Sequence, residues 1–125
     1  MYDKEIIINL LENMILSTEK ILERNKDITS VDDYLEDDKG MILLDSLCMQ
    51  LIAIGEAVKK IDKETNQELL KSYTQIPWRE VAGMRDVLSH HYFDINAEIV
   101  YEVITEHIYN LQNTLKKILE DIQVK

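Results

Sequence analysis

At 125 residues the chain has room for one domain around one core, and a hydrophobic content of 46% is that of a globular protein, not of a disordered segment. Three glycines and one proline are too few to punctuate a many-stranded protein, and a single cysteine excludes an internal disulfide framework. The net charge of −10 excludes a sequence-blind nucleic-acid coat, whose affinity comes from neutralising phosphates, but leaves room for a local phosphate site built from a few cations.

The first helix is expected from about Asp3 to Arg24, where Ile7, Leu10, Leu11, Met14, Ile15, Ile21 and Leu22 recur at spacings of three and four. Ser30 is placed to cap a short turn through Val31–Glu36, with Asp33 at the capping-box position. The second long helix is expected over Asp38–Thr65, with the stripe Leu44, Leu47, Cys48, Leu51, Ile54, Gly55, Val58 and Ile61. Further apolar residues on its other faces mark it as a central helix or a dimer face, and Cys48 inside that run reads as a small core residue. Glu68–Tyr73 is expected to form a short helical turn. Pro77, whose missing N–H costs nothing at a helix start, opens a third helix from Trp78 to about His91. A fourth runs from about Ala97 to Ile122 on the stripe Val100, Tyr101, Ile104, Ile108, Leu111, Leu115, Ile118, Leu119 and Ile122. No linker or repeat divides the chain, so residues 1–125 are expected to form a single all-α domain, an antiparallel bundle of four to five helices. No uninterrupted apolar run of about 18 residues is available to span a bilayer, and the N-terminus lacks the pattern of a signal peptide. With one unpaired cysteine, this points to the cytoplasm and away from a membrane.

The chemistry concentrates in Ile76-Pro-Trp-Arg-Glu-Val-Ala-Gly-Met-Arg-Asp-Val-Leu-Ser-His-His-Tyr-Phe93, which holds the only Trp and two of the three histidines. Arg85, Ser89 and Tyr92 share a helix face. His90 is five residues beyond Arg85, roughly 140° away on an ideal helix, so the two converge only if the helix frays near Ser89 or if two chains contribute. Arg offers phosphate a permanently charged fork, and His near neutral pH can take a proton from one oxygen and give it to another. An RNA 2′-hydroxyl can attack the adjacent phosphorus without a metal if a base, an acid and a cation are present. One Arg and one His per chain, doubled by a two-fold axis, supply all three. Gly83, which costs a helix about 1 kcal/mol relative to Ala, is expected to allow close helix packing.

This segment resembles the signature of the HepT-like family, the HEPN-domain toxins encoded beside a minimal nucleotidyltransferase antitoxin. The family pattern of Arg, four to six residues, His, any residue, Tyr maps onto Arg85, His90 and Tyr92, and the Pro-Trp-Arg and Ala-Gly-Met-Arg blocks and Leu51-Ile-Ala-Ile-Gly-Glu-Ala57 are also similar. The resemblance implies a HEPN-like homodimer whose cleft joins Arg85 and His90 of both chains. It implies metal-independent endoribonuclease activity through a 2′,3′-cyclic phosphate, with no cofactor. It further implies that the antitoxin transfers AMP from ATP to Tyr92 and thereby blocks the cleft. Many family members carry Asn directly after the Arg, whereas this chain carries Asp86, whose carboxylate repels a phosphate. The rival reading is therefore a catalytically weak homodimer that binds nucleotide or antitoxin.

Outside this segment, Glu56 and Asp45 share a face of the second helix but lie about 16 Å apart along it, too far to hold one ion. The two read as a solvated or interface stripe, with support of Arg85 by Glu56 across the bundle as the alternative. His107 has no second histidine at ligand spacing and reads as an exposed edge residue, so no metal site is expected. Tyr101 and Tyr109 read as core packing.

Overall fold

The computed structural model describes residues 2–90 and 97–124, with the side chains of 89 and 90 outside that description. Among the described residues six α-helices follow one another: α1 (Lys4–Arg24), α2 (Asp32–Leu35), α3 (Asp38–Glu64), α4 (Trp78–His90), α5 (Ala97–Glu106) and α6 (Ile108–Gln123), with a 3-10 turn at Leu70–Ser72 between α3 and α4. Among the described residues there is no strand. The all-α bundle expected from periodicity is the fold observed.

Local chemistry sets the helix starts. The Asp3 carboxylate accepts from the backbone N–H groups of Glu5 and Ile6, and Asp37 accepts from Gly40 at 2.8 Å, each satisfying donors that have no partner inside the helix. At α2 the expected Ser30 cap is not what forms. The position before the helix is Val31, with no side-chain cap, and Asp33 reaches back instead to the N–H groups of Thr29 and Ser30. Only the acidic half of the capping box is used.

α3 is the central element. Its whole expected stripe, Leu44 to Ile61, is buried, and it packs against α1, α2 and α4. By length and composition alone α3 could cross a membrane, yet here that apolar face belongs to the core. Its surplus apolar residues Met41, Ile42 and Met49 are exposed. Gly40 lets α2 cross it, because a Cβ there would stand 2.3 Å from the Asp33 carbonyl oxygen. α1 and α6 pack on each other, and Ile7 and Leu11 of α1 and Leu115 and Ile118 of α6 are fully buried. Within that seam Gln112 donates to the hydroxyl of Thr18, which in turn donates to the Ile15 carbonyl, so the buried polar atoms are paired. Tyr34, fully buried, meets Tyr101 edge to face at 6.3 Å and donates to Asn25.

The single fourth helix expected over Ala97–Ile122 is two. The backbone departs from helical geometry at His107 (φ −122°, ψ −24°), while α-type hydrogen bonds continue on both sides, from His107 N to Val103 O and from Leu111 N to His107 O. Two residues before the bend, the Thr105 hydroxyl donates to the Tyr101 carbonyl at 2.8 Å, the back-bonding that bends helices. Tyr109 is exposed, contrary to the core reading, whereas Tyr101 is half-buried and donates to the Thr29 carbonyl. Burial pushes the Cys48 thiol up to about 11, in keeping with a core side chain and not a nucleophile.

Candidate functional site

The expected catalytic segment lies on α4, and one crossing point sets where α4 sits. A Cβ on Gly55 of α3 would stand 3.0 Å from both the Arg85 Cβ and the Val81 carbonyl oxygen. Glycine at 55 therefore lets the two backbones close on each other at Arg85. α4 itself starts cleanly, with the Pro77 carbonyl accepting from Val81 N at 3.0 Å and the Trp78 indole donating to the Tyr73 carbonyl at 2.9 Å.

Around Arg85 four charges alternate in sign across the α3–α4 contact. Arg85 Nε pairs with Glu56 Oε1, and Nη1 donates to Asp86 Oδ1 at 2.7 Å. Lys59 Nζ in turn reaches both Asp86 oxygens, at 3.4 and 3.3 Å. The hydrogen bonds to Asp86 and then Glu56 push the guanidinium further above its ordinary value, so it is a fixed cation at any working pH. The bonds from Arg85 and then Lys59 hold the Asp86 carboxyl below the usual carboxylate range, so it is an anion there too. Half-exposed pairs of this kind stabilise a fold little, and their consequence is orientation. Glu56 holds the Nε edge of the fork, and Asp86 occupies one of the N–H groups that a phosphate would use. Lys59 draws Asp86 toward α3. Arg85 is supported by Glu56, the lesser of the two readings of Glu56 that the sequence allowed. The contact between Lys59 and Asp86 was not anticipated, because it depends on how α4 registers against α3.

α4 continues through His90, so the helix does not fray at Ser89. Helical spacing sets positions 85 and 90 roughly 140° apart around α4. The His90 side chain and all of Tyr92 lie outside the described residues.

Two grooves flank α4 and α3. One, of about 660 Å³, runs beside α4 and is lined among the described residues mostly by apolar side chains, including Ile54, Val81, Met84, Val87 and Val103. Gly83 opens onto it, and a Cβ there would meet nothing within 4 Å. The close helix packing expected of Gly83 thus belongs to Gly55 instead. The second groove, of about 610 Å³, lies between α1 and α3 and is lined by Lys59, Lys60 and Lys63, by the carboxylates of Glu56 and Glu64, and by apolar side chains that include Leu10 and Ala57.

One other donor set converges among the described residues. Donor atoms of Glu102, Glu106 and His107 lie within 4.8 Å of one another, all exposed. His107 is the exposed residue expected, and the bend at the α5–α6 junction swings it toward two glutamates that linear spacing does not pair with it. Exposed carboxylates with one imidazole are common without a metal.

Comparison with known proteins bears on this arrangement. Residues 5–118 match the family described as Ribonuclease HepT-like. A protein of Caldanaerobacter subterraneus subsp. tengcongensis named "Putative RNase TTE0752" is 37% identical over 110 residues, covering 88% of this chain and 91% of that protein. "Putative RNase MJ0127" of Methanocaldococcus jannaschii is 32% identical over 120 residues, covering 96% and 89%. "Probable ribonuclease HepT" of Thermococcus cleftensis is 32% identical over 108 residues, covering 86% and 91%. No solved structure matches the chain significantly. With a family match spanning nearly all of the bundle, α4 and its Arg85 included, the chain belongs to the HepT-like ribonuclease family.

Proposed function

We propose that this HepT-like ribonuclease is the toxin of a toxin–antitoxin pair, a cytoplasmic homodimer that cleaves RNA without a metal. The observation that carries the reading is Arg85, a permanent cation on α4 oriented by Glu56 across the Gly55 contact, within the segment that bears the family's Arg-x4-His-x-Tyr spacing. In this mechanism His90 takes the proton from an RNA 2′-hydroxyl, and the 2′-oxygen attacks the adjacent phosphorus. The bond to the 5′-oxygen breaks, and the second copy's His90, protonated, supplies the leaving oxygen's proton. The products are a 2′,3′-cyclic phosphate and a 5′-hydroxyl. Arg85 stabilises the negative charge that builds on the phosphoryl oxygens. A dimer is favoured by the angular separation of Arg85 and His90 along one helix and by the apolar groove beside α4, where Val87 is 50% exposed.

Neutralisation by a minimal nucleotidyltransferase is implied by the family resemblance. AMP attached to the Tyr92 hydroxyl would set a phosphate's negative charge two residues along the chain from His90, where it can compete for the cation that the substrate needs. A second reading has one observation in its favour: Asp86 already holds an N–H of Arg85, which suits a homodimer that binds nucleotide or antitoxin without turnover.

Two measurements decide between them. Purified chain incubated with RNA in excess EDTA is expected to yield fragments ending in 2′,3′-cyclic phosphate, and RNA that is bound but stays intact would establish the binding reading instead. Incubation with the cognate nucleotidyltransferase and ATP is expected to raise the intact mass by whole AMP units in wild type and not in Tyr92→Phe. An unchanged wild-type mass would remove tyrosine modification from the proposal.

A further inference from the structure

The charge of −10 is not spread evenly over the molecule. Lys59, Lys60 and Lys63 fall within five residues of α3 and line one groove between α1 and α3. Lys60 and Lys63 are exposed and, like Lys20 and Lys39, take part in no ion pair among the described residues, whereas Lys26, Lys71 and Lys117 are each matched to a carboxylate three or four residues away. The groove also touches the candidate active site. Glu56, one of its lining residues, holds Arg85, and Lys59, another, holds Asp86, so the groove opens at the Arg85 cluster. Its floor includes Leu10, Ala53 and Ala57. The lining also carries Glu56, which is engaged by Arg85, and Glu64, so three lysines outnumber two carboxylates. Lysines over apolar residues suit the sugar–phosphate backbone of a single strand, with phosphates on the lysines and sugars or base faces against the floor.

We propose that the α1–α3 groove is a binding track for the RNA strand that flanks the scissile phosphate, with Lys60 and Lys63 contacting backbone phosphates and Lys59 linking the track to the Arg85 cluster. The proposal rests on the ribonuclease reading for the identity of the strand, but it concerns binding and is measurable without cleavage. It also accounts for how so acidic a chain could hold RNA at all. Charges more than a Debye length away, about 8 Å at physiological salt, are largely screened, and of the two carboxylates in the lining Glu56 is already paired with Arg85.

The test uses a cleavage-resistant single-stranded oligonucleotide with 2′-O-methyl riboses, titrated against the full chain over a range of salt concentrations. Removing two phosphate contacts from a single strand lowers the slope of log affinity against log salt by about 1.4, which is about 25-fold in affinity at 0.1 M salt relative to 1 M. Lys60→Gln/Lys63→Gln is expected to show that loss, with unchanged helicity. Lys20→Gln/Lys39→Gln serves as the control. Lys39 lies about 30 Å from Lys59 along α3, and this pair is expected to keep the wild-type slope. Equal slopes for the groove variant and wild type would overturn the track even if wild type cleaves RNA. A reduced slope in the groove variant would sustain it even if wild type cleaves nothing.

Discussion

Arg85→Ala is expected to lower the rate of RNA cleavage about 10²- to 10³-fold, the cost of removing one preorganised cation from a site where charge develops in the transition state. The loss should be in turnover more than in binding, because flanking phosphates remain held elsewhere while the reacting one loses its counterion. Arg85→Lys should recover little of it. An ammonium is a point charge and cannot keep one donor on Glu56 while presenting others to a phosphate in a fixed plane. His90→Ala should fall by about 10²- to 10⁴-fold, the range for a positioned acid–base, and the double variant should be scarcely worse than either single change, since the two groups act on one transition state. Folding is not at stake at Arg85. Its side chain is 39% exposed and its ion pairs contribute little to stability, so the melting temperature should stay near that of wild type. In cells lacking the partner, wild type should arrest growth and both variants should not. Equal growth arrest by wild type, Arg85→Ala and His90→Ala would remove these residues from the chemistry.

Which parts of this site were legible in the sequence depends on which interactions are local. The stripes of α1 and α3 were, because burial of one helix face leaves a three-and-four spacing that no tertiary detail can hide. Every residue of the expected α3 stripe is buried. The start of α1 near Asp3 was legible too, although the cap that Asp3 forms with the N–H groups two and three residues on was not read from the sequence. The break at His107 was not. The apolar stripe runs unbroken from Val100 to Ile122, and the bend comes with a Thr105 hydroxyl that selects the Tyr101 carbonyl over solvent, a choice that threonine in a helix does not always make.

The glycines show the same limit from another side. Gly55 and Gly83 both sit inside helices, and a sequence cannot tell which of them faces another backbone, because that is decided by the register of α4 on α3. The structure gives the close contact to Gly55 and open space to Gly83. The same register produces the pair between Lys59 and Asp86. From sequence, Asp86 could be seen only as a carboxylate beside an arginine. In the fold it is one member of an alternating row, with Lys59 offsetting part of its competition for Arg85. The cluster is therefore less hostile to phosphate than its composition alone suggests.

Gly55→Val should be the most damaging single change to the scaffold of the site, and it separates scaffold from chemistry. A valine Cβ would stand 3.0 Å from the Val81 carbonyl oxygen and from the Arg85 Cβ, with two further methyl groups beyond it. A backbone carbonyl cannot rotate away as a flexible side chain can, so α4 has to move. Valine is a better helix former than glycine by a few tenths of a kcal/mol, which offsets little of an overpacking cost of about 1–3 kcal/mol. At about 4 °C per kcal/mol for a domain of this size, the melting temperature should drop by roughly 4 to 12 °C while the chain remains folded at room temperature. The functional loss should be out of proportion to that. Displacing α4 by up to about 1 Å moves Arg85 relative to any second copy that supplies His90, and misplacement on that scale costs about 10²-fold in rate. Gly83→Val is the matched control. It makes the same substitution on α4, where a Cβ meets nothing within 4 Å among the described residues, and it should leave the melting temperature unchanged or slightly raised. A Gly55→Val protein that melts like wild type would mean that the α3–α4 contact is looser than its geometry indicates, and the argument that Gly55 sets the position of Arg85 would fail with it.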